Sequence, residues 1–164
     1  MSVKLRQHAR PIASAAGAAL AAAGLGALMT DLSPWYYALE QPAWKPPDWS
    51  FGPAWTLIFA LCAVAGYRSW VGMTSRSHRE WMLAAFACNA FLNLFWSLLY
   101  FRLQRPDWAL YEVGSLWLSI VVLIAILGRH SRSNAALLLP YLAWVTFAAA
   151  LDLAVVRLNG PFGA

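Results

Sequence analysis

Five long stretches of this sequence are almost free of charged residues, and they constrain the fold more than any other feature. Each is about 20 residues long, the length that an α-helix needs to cross a hydrocarbon core of about 30 Å. A bilayer interior offers no water to the backbone, so spanning segments form helices or closed barrels, and barrels show shorter alternating segments. The predicted spans are residues 11–30, 51–72, 80–101, 108–128 and 134–157. Residues 1–164 are therefore predicted to form one all-α, five-helix transmembrane domain.

The charged residues indicate how these helices are oriented. Only 12% of the chain is charged, about half the share found in soluble domains. If the spans alternate in direction, eight of the twelve basic residues lie on one side of the membrane: Lys4, Arg6, Arg10, Arg68, Arg76, Arg79, Arg129 and Arg132. The positive-inside rule then places the N-terminus and the basic loops in the cytoplasm. The net charge of +5 is thus a topology signal, and we expect a lipid bilayer, not nucleic acid, as the partner.

Several function classes are excluded by missing residues. Both lysines, Lys4 and Lys45, lie outside the spans, so no intramembrane amine can form a Schiff base. The histidines, His8, His78 and His130, all lie on the basic side outside the hydrocarbon, so none can ligate haem within the membrane. The cysteines, Cys62 and Cys88, fall near the bilayer centre without metal-binding spacing. No metal site is predicted, and no hydrolase or nucleotide-binding motif is present.

Tryptophan and proline are concentrated between the first two spans. The segment Gln41-Pro42-Ala43-Trp44-Lys45-Pro46-Pro47-Asp48-Trp49-Ser50-Phe51 follows Trp35-Tyr36-Tyr37. Proline fixes its own φ and restricts the residue before it, so this loop is expected to be stiff and extended. Rigid aromatic side chains suit a flat apolar ligand, which predicts that the loop covers a binding pocket. The alternative is an aromatic anchor at the membrane interface.

Three spans each carry a stripe of aromatic and polar residues at helical spacing. The stripes are Trp55, Phe59, Cys62 and Gly66 on the second span; Asn89, Asn93, Trp96 and Tyr100 on the third; and Tyr141, Trp144, Ala148 and Asp152 on the fifth. At 1.5 Å per residue, Asn93 and Asp152 should lie about 9–12 Å from the outer boundary. The pattern predicts an aromatic chamber with a few polar groups in the outer half of the bundle.

A carboxylate inside a span is costly, which makes Asp152 a candidate functional residue. Arg157 lies about 140° away around the helix and is not a natural partner. Asp152 either contacts a ligand or makes an interhelical hydrogen bond, with Asn89 or Asn93 as candidate partners. Glu112 lies nearer the interface and is expected to be solvated.

These residues resemble the TspO/MBR family, the tryptophan-rich sensory proteins that are also called translocator proteins or peripheral-type benzodiazepine receptors. The likeness extends from about residue 12 to residue 159. It rests on Trp35-Tyr36 with the following Pro42…Trp44…Pro46-Pro47…Trp49…Trp55, on Asn93…Trp96, and on Pro140-Tyr141-Leu142…Trp144 with Leu158-Asn159.

The resemblance implies a five-helix homodimer that binds porphyrins in a pocket beneath the loop, without covalently bound cofactor. The residues matched to the family pocket are Tyr36, Trp55, Asn93, Trp96, Trp144 and Ala148, and Trp49, Pro46 and Pro47 match its loop cap. The predicted ligand-binding set is these six with Trp49 and Asp152, and the predicted loop cap is Trp35, Trp44, Pro46 and Pro47. Asp152 departs from the asparagine usual in the family. The segment Leu151 to Arg157 lacks tyrosine, so the sterol motif of animal members is absent there.

We therefore expect a membrane receptor or sensor for protoporphyrin-like tetrapyrroles that regulates their level or passage. One alternative is a light- and oxygen-dependent enzyme that degrades porphyrin, with Trp55 and Trp144 as candidate catalytic residues. The other is a transporter of porphyrin or sterol, although no inverted repeat or pair of broken helices is evident in the sequence.

Overall fold

A computed structural model describes residues 17, 24, 26 and 28–163, and throughout these residues the regular structure is helical, without strands. The helices of the described part are α1 (Pro34–Ala38), a 3₁₀ turn (Asp48–Ser50), α2 (Phe51–Gly72), α3 (Arg76–Ser97), a π-helical turn (Leu98–Arg102), α4 (Pro106–Gly128), α5 (Arg132–Ala136) and α6 (Leu139–Asn159). The predicted first span, residues 11–30, lies largely outside the described residues.

Four helical stretches are long and apolar enough to cross a membrane: Asp48–Gly72, Arg76–Arg102, Pro106–Gly128 and Arg132–Asn159. They correspond to the second to fifth predicted spans. The prediction of an all-helical membrane protein is therefore confirmed for this part of the chain.

Serine and proline mark where these helices begin. The Ser75 hydroxyl accepts a hydrogen bond from the His78 backbone N–H at 3.5 Å, and Ser131 does the same for Asn134 at 3.3 Å. Such caps satisfy backbone donors that have no partner in the first turn. Pro106 occupies the first turn of α4, where its missing N–H costs nothing.

Two spans depart from a regular α-helix. The predicted fifth span is divided into α5 and α6 because Pro140, in the first turn of α6, has no N–H to continue the preceding helix. The C-terminal end of α3 widens into the π-helical turn, in which the Leu103 N–H donates to the Leu98 carbonyl at 2.9 Å. This turn carries the buried residues Leu99 and Tyr100. It therefore changes the direction in which Tyr100 projects relative to a continuous α-helical stripe.

Helix α4 lies at the centre of the described bundle, packed against both α3 and α6. Its buried residues recur every three or four positions, which is the spacing of one helical face: Ala109, Val113, Leu116, Ile120, Leu123 and Leu127. These residues contribute to all three buried clusters, so α4 connects one end of the core to the other.

Candidate functional site

The 31–50 loop holds its shape through a group of three side chains. The Tyr36 hydroxyl donates to Asp48 Oδ1 at 2.9 Å. Lys45 forms an ion pair with the same carboxylate, and its Nζ lies 5.2 Å from the centre of the Tyr36 ring. Burial raises the pKa of the Tyr36 phenol. Burial alone would lower the pKa of Lys45, but its bonds to Asp48 and Tyr36 outweigh this and raise it. At neutral pH the loop is thus tied by a protonated phenol and a charged amine.

Polar contacts also attach the loop to the nearby ends of the helices. The Asn159 side chain accepts a hydrogen bond from the Glu40 N–H at 2.7 Å and donates to the Glu40 carbonyl at 2.9 Å. Arg102 donates to Asp31 Oδ2 at 3.3 Å and to the Leu28 carbonyl at 2.6 Å. Both the end of α6 and the end of the π-helical turn therefore hold the loop over the bundle.

Aromatic rings continue from the loop onto α6. Trp44 packs edge-on against Phe147 with ring centres 5.8 Å apart, and Phe51 packs in the same way against Trp144 at 5.5 Å. Trp144 and Phe147 are themselves 5.5 Å apart. The predicted cap residue Trp44 and the predicted pocket residue Trp144 thus belong to one connected aromatic row.

A second aromatic group lies against the π-helical turn. Trp96 stacks on Tyr100 at 5.2 Å, and Trp35 meets the edge of Tyr100 at 6.4 Å. Tyr36 lies 5.8 Å from Phe101. The loop residues Trp35 and Tyr36 are therefore joined to the predicted pocket residue Trp96 through Tyr100 and Phe101.

The stripes of α2, α3 and α6 meet at Tyr141. Trp55 on α2 stacks on Phe59 and packs edge-on against Tyr141 at 6.0 Å. The Tyr141 hydroxyl donates to Asn89 Oδ1 at 3.2 Å and accepts from Asn93 Nδ2 at 3.4 Å. Sequence reasoning placed Tyr141 on its stripe but did not identify it as the residue that joins three helices. The available sequence signal was a tyrosine on one stripe and two asparagines four residues apart on another.

Asp152 is only 1% exposed, and neither of its carboxyl oxygens has a hydrogen-bond partner within the described residues. Asn89 and Asn93, the partners considered from the sequence, are bonded to Tyr141 instead. The Trp96 indole lies beside the carboxyl, but its buried N–H does not reach hydrogen-bonding geometry. Asp152 and Trp96 therefore place an unused acceptor and an unused donor side by side.

Glu112 is buried, and the expectation that it is solvated is wrong. It is 8% exposed, and neither carboxyl oxygen has a hydrogen-bond partner in the described part of the chain. The reason is that α4 is the central helix, so a residue one or two turns from its N-terminal end is already enclosed by its neighbours.

The remaining predicted site residues differ in their surroundings. Trp49 is 75% exposed and, among the described residues, has no ring contact with the aromatic groups above. Pro46 is half-buried and Pro47 exposed in the loop, whereas Ala148 is half-buried on α6, next to Phe147. The structure thus brings Tyr36, Trp96 and Asp152 together at one place and Trp55 with Asn93 at another.

An open cleft of about 450 Å³ lies at the end of the bundle that carries the 31–50 loop. It is bounded by the loop, the α3–α4 connection and the segment after α6, and its lining includes Trp35, Leu39, Gln104, Arg105, Asn159 and Phe162. Sequence reasoning missed this cleft, because its lining residues come from three separate connections.

Potential metal ligands do not form a larger cluster in the described part of the chain. No group of three or more histidine, cysteine, aspartate or glutamate side chains is assembled among the residues that the structure describes. Cys62 is half-buried and Cys88 exposed, and both are free thiols.

Comparison with known proteins gives consistent results. The model of the TspO/MBR family matches residues 14–158. The tryptophan-rich protein TspO of Archaeoglobus fulgidus is 38% identical over 125 residues, which cover 76% of this chain and 80% of that protein. The protein CrtK of Rhodobacter capsulatus is 30% identical over 142 residues, covering 86% and 88%. The translocator protein of Sus scrofa is 32% identical over 126 residues, covering 76% and 75%. The resemblance seen in the tryptophan-rich loop is therefore confirmed, and the chain belongs to the TspO/MBR family.

Proposed function

We propose that this protein is a membrane receptor or sensor that binds protoporphyrin-like tetrapyrroles and regulates their level or passage. The observation that carries the proposal is the set of aromatic rings that connects the 31–50 loop to α2, α3 and α6. Flat apolar side chains held rigidly under a stiff loop suit a flat apolar ligand. The names of two relatives, a tryptophan-rich sensory protein and a translocator protein, agree with a sensing or transfer role.

The unused polar groups of Asp152 and Trp96 support a ligand that carries a polar group able both to donate and to accept a hydrogen bond. A buried donor or acceptor without a partner is costly, and a bound molecule can supply that partner. A tetrapyrrole of the protoporphyrin type carries propionic acid groups, each with a donor and an acceptor close together. One such group can donate its O–H to the Asp152 carboxyl and accept from Trp96 Nε1.

Binding is tested by titrating protoporphyrin IX into the detergent-solubilised protein in dim light and following quenching of tryptophan fluorescence. We expect saturable quenching, with Kd raised at least tenfold in Trp144→Ala, equivalent to a loss of about 1.4 kcal/mol. Trp55→Ala should behave in the same way. The matched control is Trp81→Ala, because Trp81 is 70% exposed near the start of α3, away from the loop. Quenching that does not saturate, or that is unchanged in both pocket variants, would refute the proposal.

One contact favours light-dependent porphyrin degradation as a second candidate function. Trp55 packs edge-on against Tyr141, whose hydroxyl is hydrogen-bonded to Asn89 and Asn93. Tryptophan and tyrosine are among the side chains that an excited porphyrin can oxidise in the presence of oxygen. Trp55 and Trp144 would then be the reactive residues.

The two functions are separated by illuminating the porphyrin complex under oxygen and analysing the products. Degradation requires a defined product that disappears in Trp55→Phe or Trp144→Phe while porphyrin binding is kept. Bleaching at the same rate without protein would exclude enzymatic degradation, and binding as a receptor would be the remaining proposal.

The remaining features of the proposal concern assembly and orientation. We propose a homodimer, as the family resemblance implies, with the N-terminus and the basic loops in the cytoplasm. Transport of porphyrin or sterol is the third candidate, and flux into sealed vesicles would reveal it.

A further inference from the structure

Two of the three histidines lie side by side at the end of the bundle opposite the aromatic loop. The imidazole rings of His78 and His130 have centres 4.9 Å apart and planes inclined by 55°. His78 belongs to the first turn of α3, and His130 follows α4. The pair therefore joins the α2–α3 connection to the α4–α5 connection, and the aromatic pocket contributes nothing to it.

The backbone on both sides of the pair is held in place. The Ser75 cap fixes the turn that carries His78. The His130 and Ser131 N–H groups donate to the Leu127 carbonyl at 3.0 and 2.8 Å. Because α3 and α4 also pack against each other, no flexible loop has to rearrange to bring the two rings together.

From this geometry we infer that His78 and His130 form a chelating site for a divalent transition-metal ion of the Zn²⁺ type. Zinc binds imidazole nitrogen at about 2.0–2.1 Å, and two such rings at tetrahedral angles have centres about 5 Å apart. The observed separation matches that value. Both rings are exposed and steeply inclined, so small side-chain rotations can point one nitrogen of each toward a common ion. Water or an anion would complete the coordination.

Neighbouring charges limit the strength of the site. Arg76 is paired with Glu80 at 2.8 Å, and Arg79 lies over the Trp70 ring at 5.0 Å, so both guanidinium groups are engaged elsewhere. Arg129 and Arg132 are exposed near the pair and oppose a second cation. We therefore expect micromolar affinity, weaker than that of structural zinc sites.

Isothermal titration of ZnCl₂ into tag-free, detergent-solubilised protein tests the site. We expect one ion per chain, with affinity lowered at least tenfold in either His78→Ala or His130→Ala. Removing one histidine lowers the affinity of a two-histidine site, because the remaining ligand no longer has a second ligand beside it at high effective concentration. Wild-type protein should also melt at a higher temperature with Zn²⁺, and both variants should lose this shift.

The matched control is His8→Ala, which removes the third histidine and should keep both affinity and stoichiometry. Two independent weak sites that each disappear with one histidine would overturn the chelate, and so would absence of wild-type binding. Binding that depends on His8 but survives His78→Ala would equally overturn it. The rings are exposed, so both alanine variants should fold, and porphyrin binding provides an independent check that they have.

Discussion

The carboxyl group of Asp152 on α6 is enclosed in the bundle, and neither oxygen has a hydrogen-bond partner among the described residues, which is costly in a hydrocarbon environment. Asp152→Asn keeps the shape of the side chain and removes its capacity to carry a charge. We expect it to stabilise the ligand-free protein by about 1–3 kcal/mol, because the amide cannot ionise and an ionisable carboxyl costs about 2.5–3.5 kcal/mol at the centre of a span. Thermal unfolding in detergent at pH 8 measures the change.

The control for Asp152→Asn is Glu80→Gln at an exposed position, where an ion pair contributes little. A destabilised Asp152→Asn protein would contradict the prediction and show that Asp152 has a compensating partner. Repeating the measurement in a Trp96→Phe background would then test whether the indole N–H is that partner.

Tyr141 is expected to contribute to stability through its hydroxyl, because both Asn89 and Asn93 bond to it. Tyr141→Phe leaves two amide groups with one partner fewer inside the bundle. We expect a loss of about 1–2 kcal/mol, since interhelical hydrogen bonds in membranes are individually modest. The control is Tyr111→Phe, because Tyr111 is 84% exposed on α4. Equal unfolding curves for the two variants would rule out a stabilising network around Tyr141.

Residue spacing predicted which side chains share a face but not which partners they meet. The pattern placed Asn89 and Asn93 on one stripe, yet they face Tyr141 and not Asp152. The rotation of one helix about its axis relative to another depends on packing of all the apolar residues. Glu112 shows the same limit, because counting residues from the membrane boundary gives depth and says nothing about enclosure by neighbouring helices.

At the level of elements, the attachment of the 31–50 loop to α6 depends on one side chain. Asn159 bonds both backbone groups of Glu40, so Asn159→Ala removes two hydrogen bonds that join distant parts of the chain. We expect faster hydrogen exchange of the Glu40 amide and its neighbours by about tenfold, with little change in the unfolding temperature. Hydrogen–deuterium exchange with mass spectrometry measures the 31–50 loop and α6 in one experiment.

The matched control for the loop attachment is Leu158→Ala, the preceding and exposed residue of α6. Exchange that is unchanged in Asn159→Ala would mean that the Tyr36–Lys45–Asp48 group and the aromatic contacts hold the loop unaided. Exchange that accelerates throughout α6 would instead indicate that the helix end has unravelled.

The presence of the spanning helices was predictable from the sequence, but their local irregularities were only partly so. Hydrophobic length is sufficient to identify a span, because a bilayer permits few other structures. The division of the fifth span follows from Pro140 and was open to prediction, since a proline in a helical pattern interrupts it. The π-helical turn at Leu98–Arg102 has no comparable sequence signal. It depends on how Leu99 and Tyr100 pack against the loop and α4.

Considered as a whole, the described molecule has two dissimilar ends. One carries the aromatic loop, the unused Asp152 carboxyl and the open cleft, and the other carries the histidine pair and most of the arginines. Tryptophan counts and charge counts along the sequence already predicted this asymmetry. Which stripes would face each other depended on α4 occupying the centre, a feature of packing that periodicity alone does not encode.

This asymmetry leads to a prediction about orientation in an energised membrane. The positive-inside rule places the arginine-rich end in the cytoplasm. In a background with Cys62→Ala and Cys88→Ala, we expect Ala43→Cys in the loop to react with a membrane-impermeant maleimide in intact cells. Ser77→Cys, at the start of α3, should react only after permeabilisation. Both positions are exposed, so access to reagent decides the result. The reverse pattern would invert the proposed topology, and labelling of both residues in intact cells would indicate a mixed population.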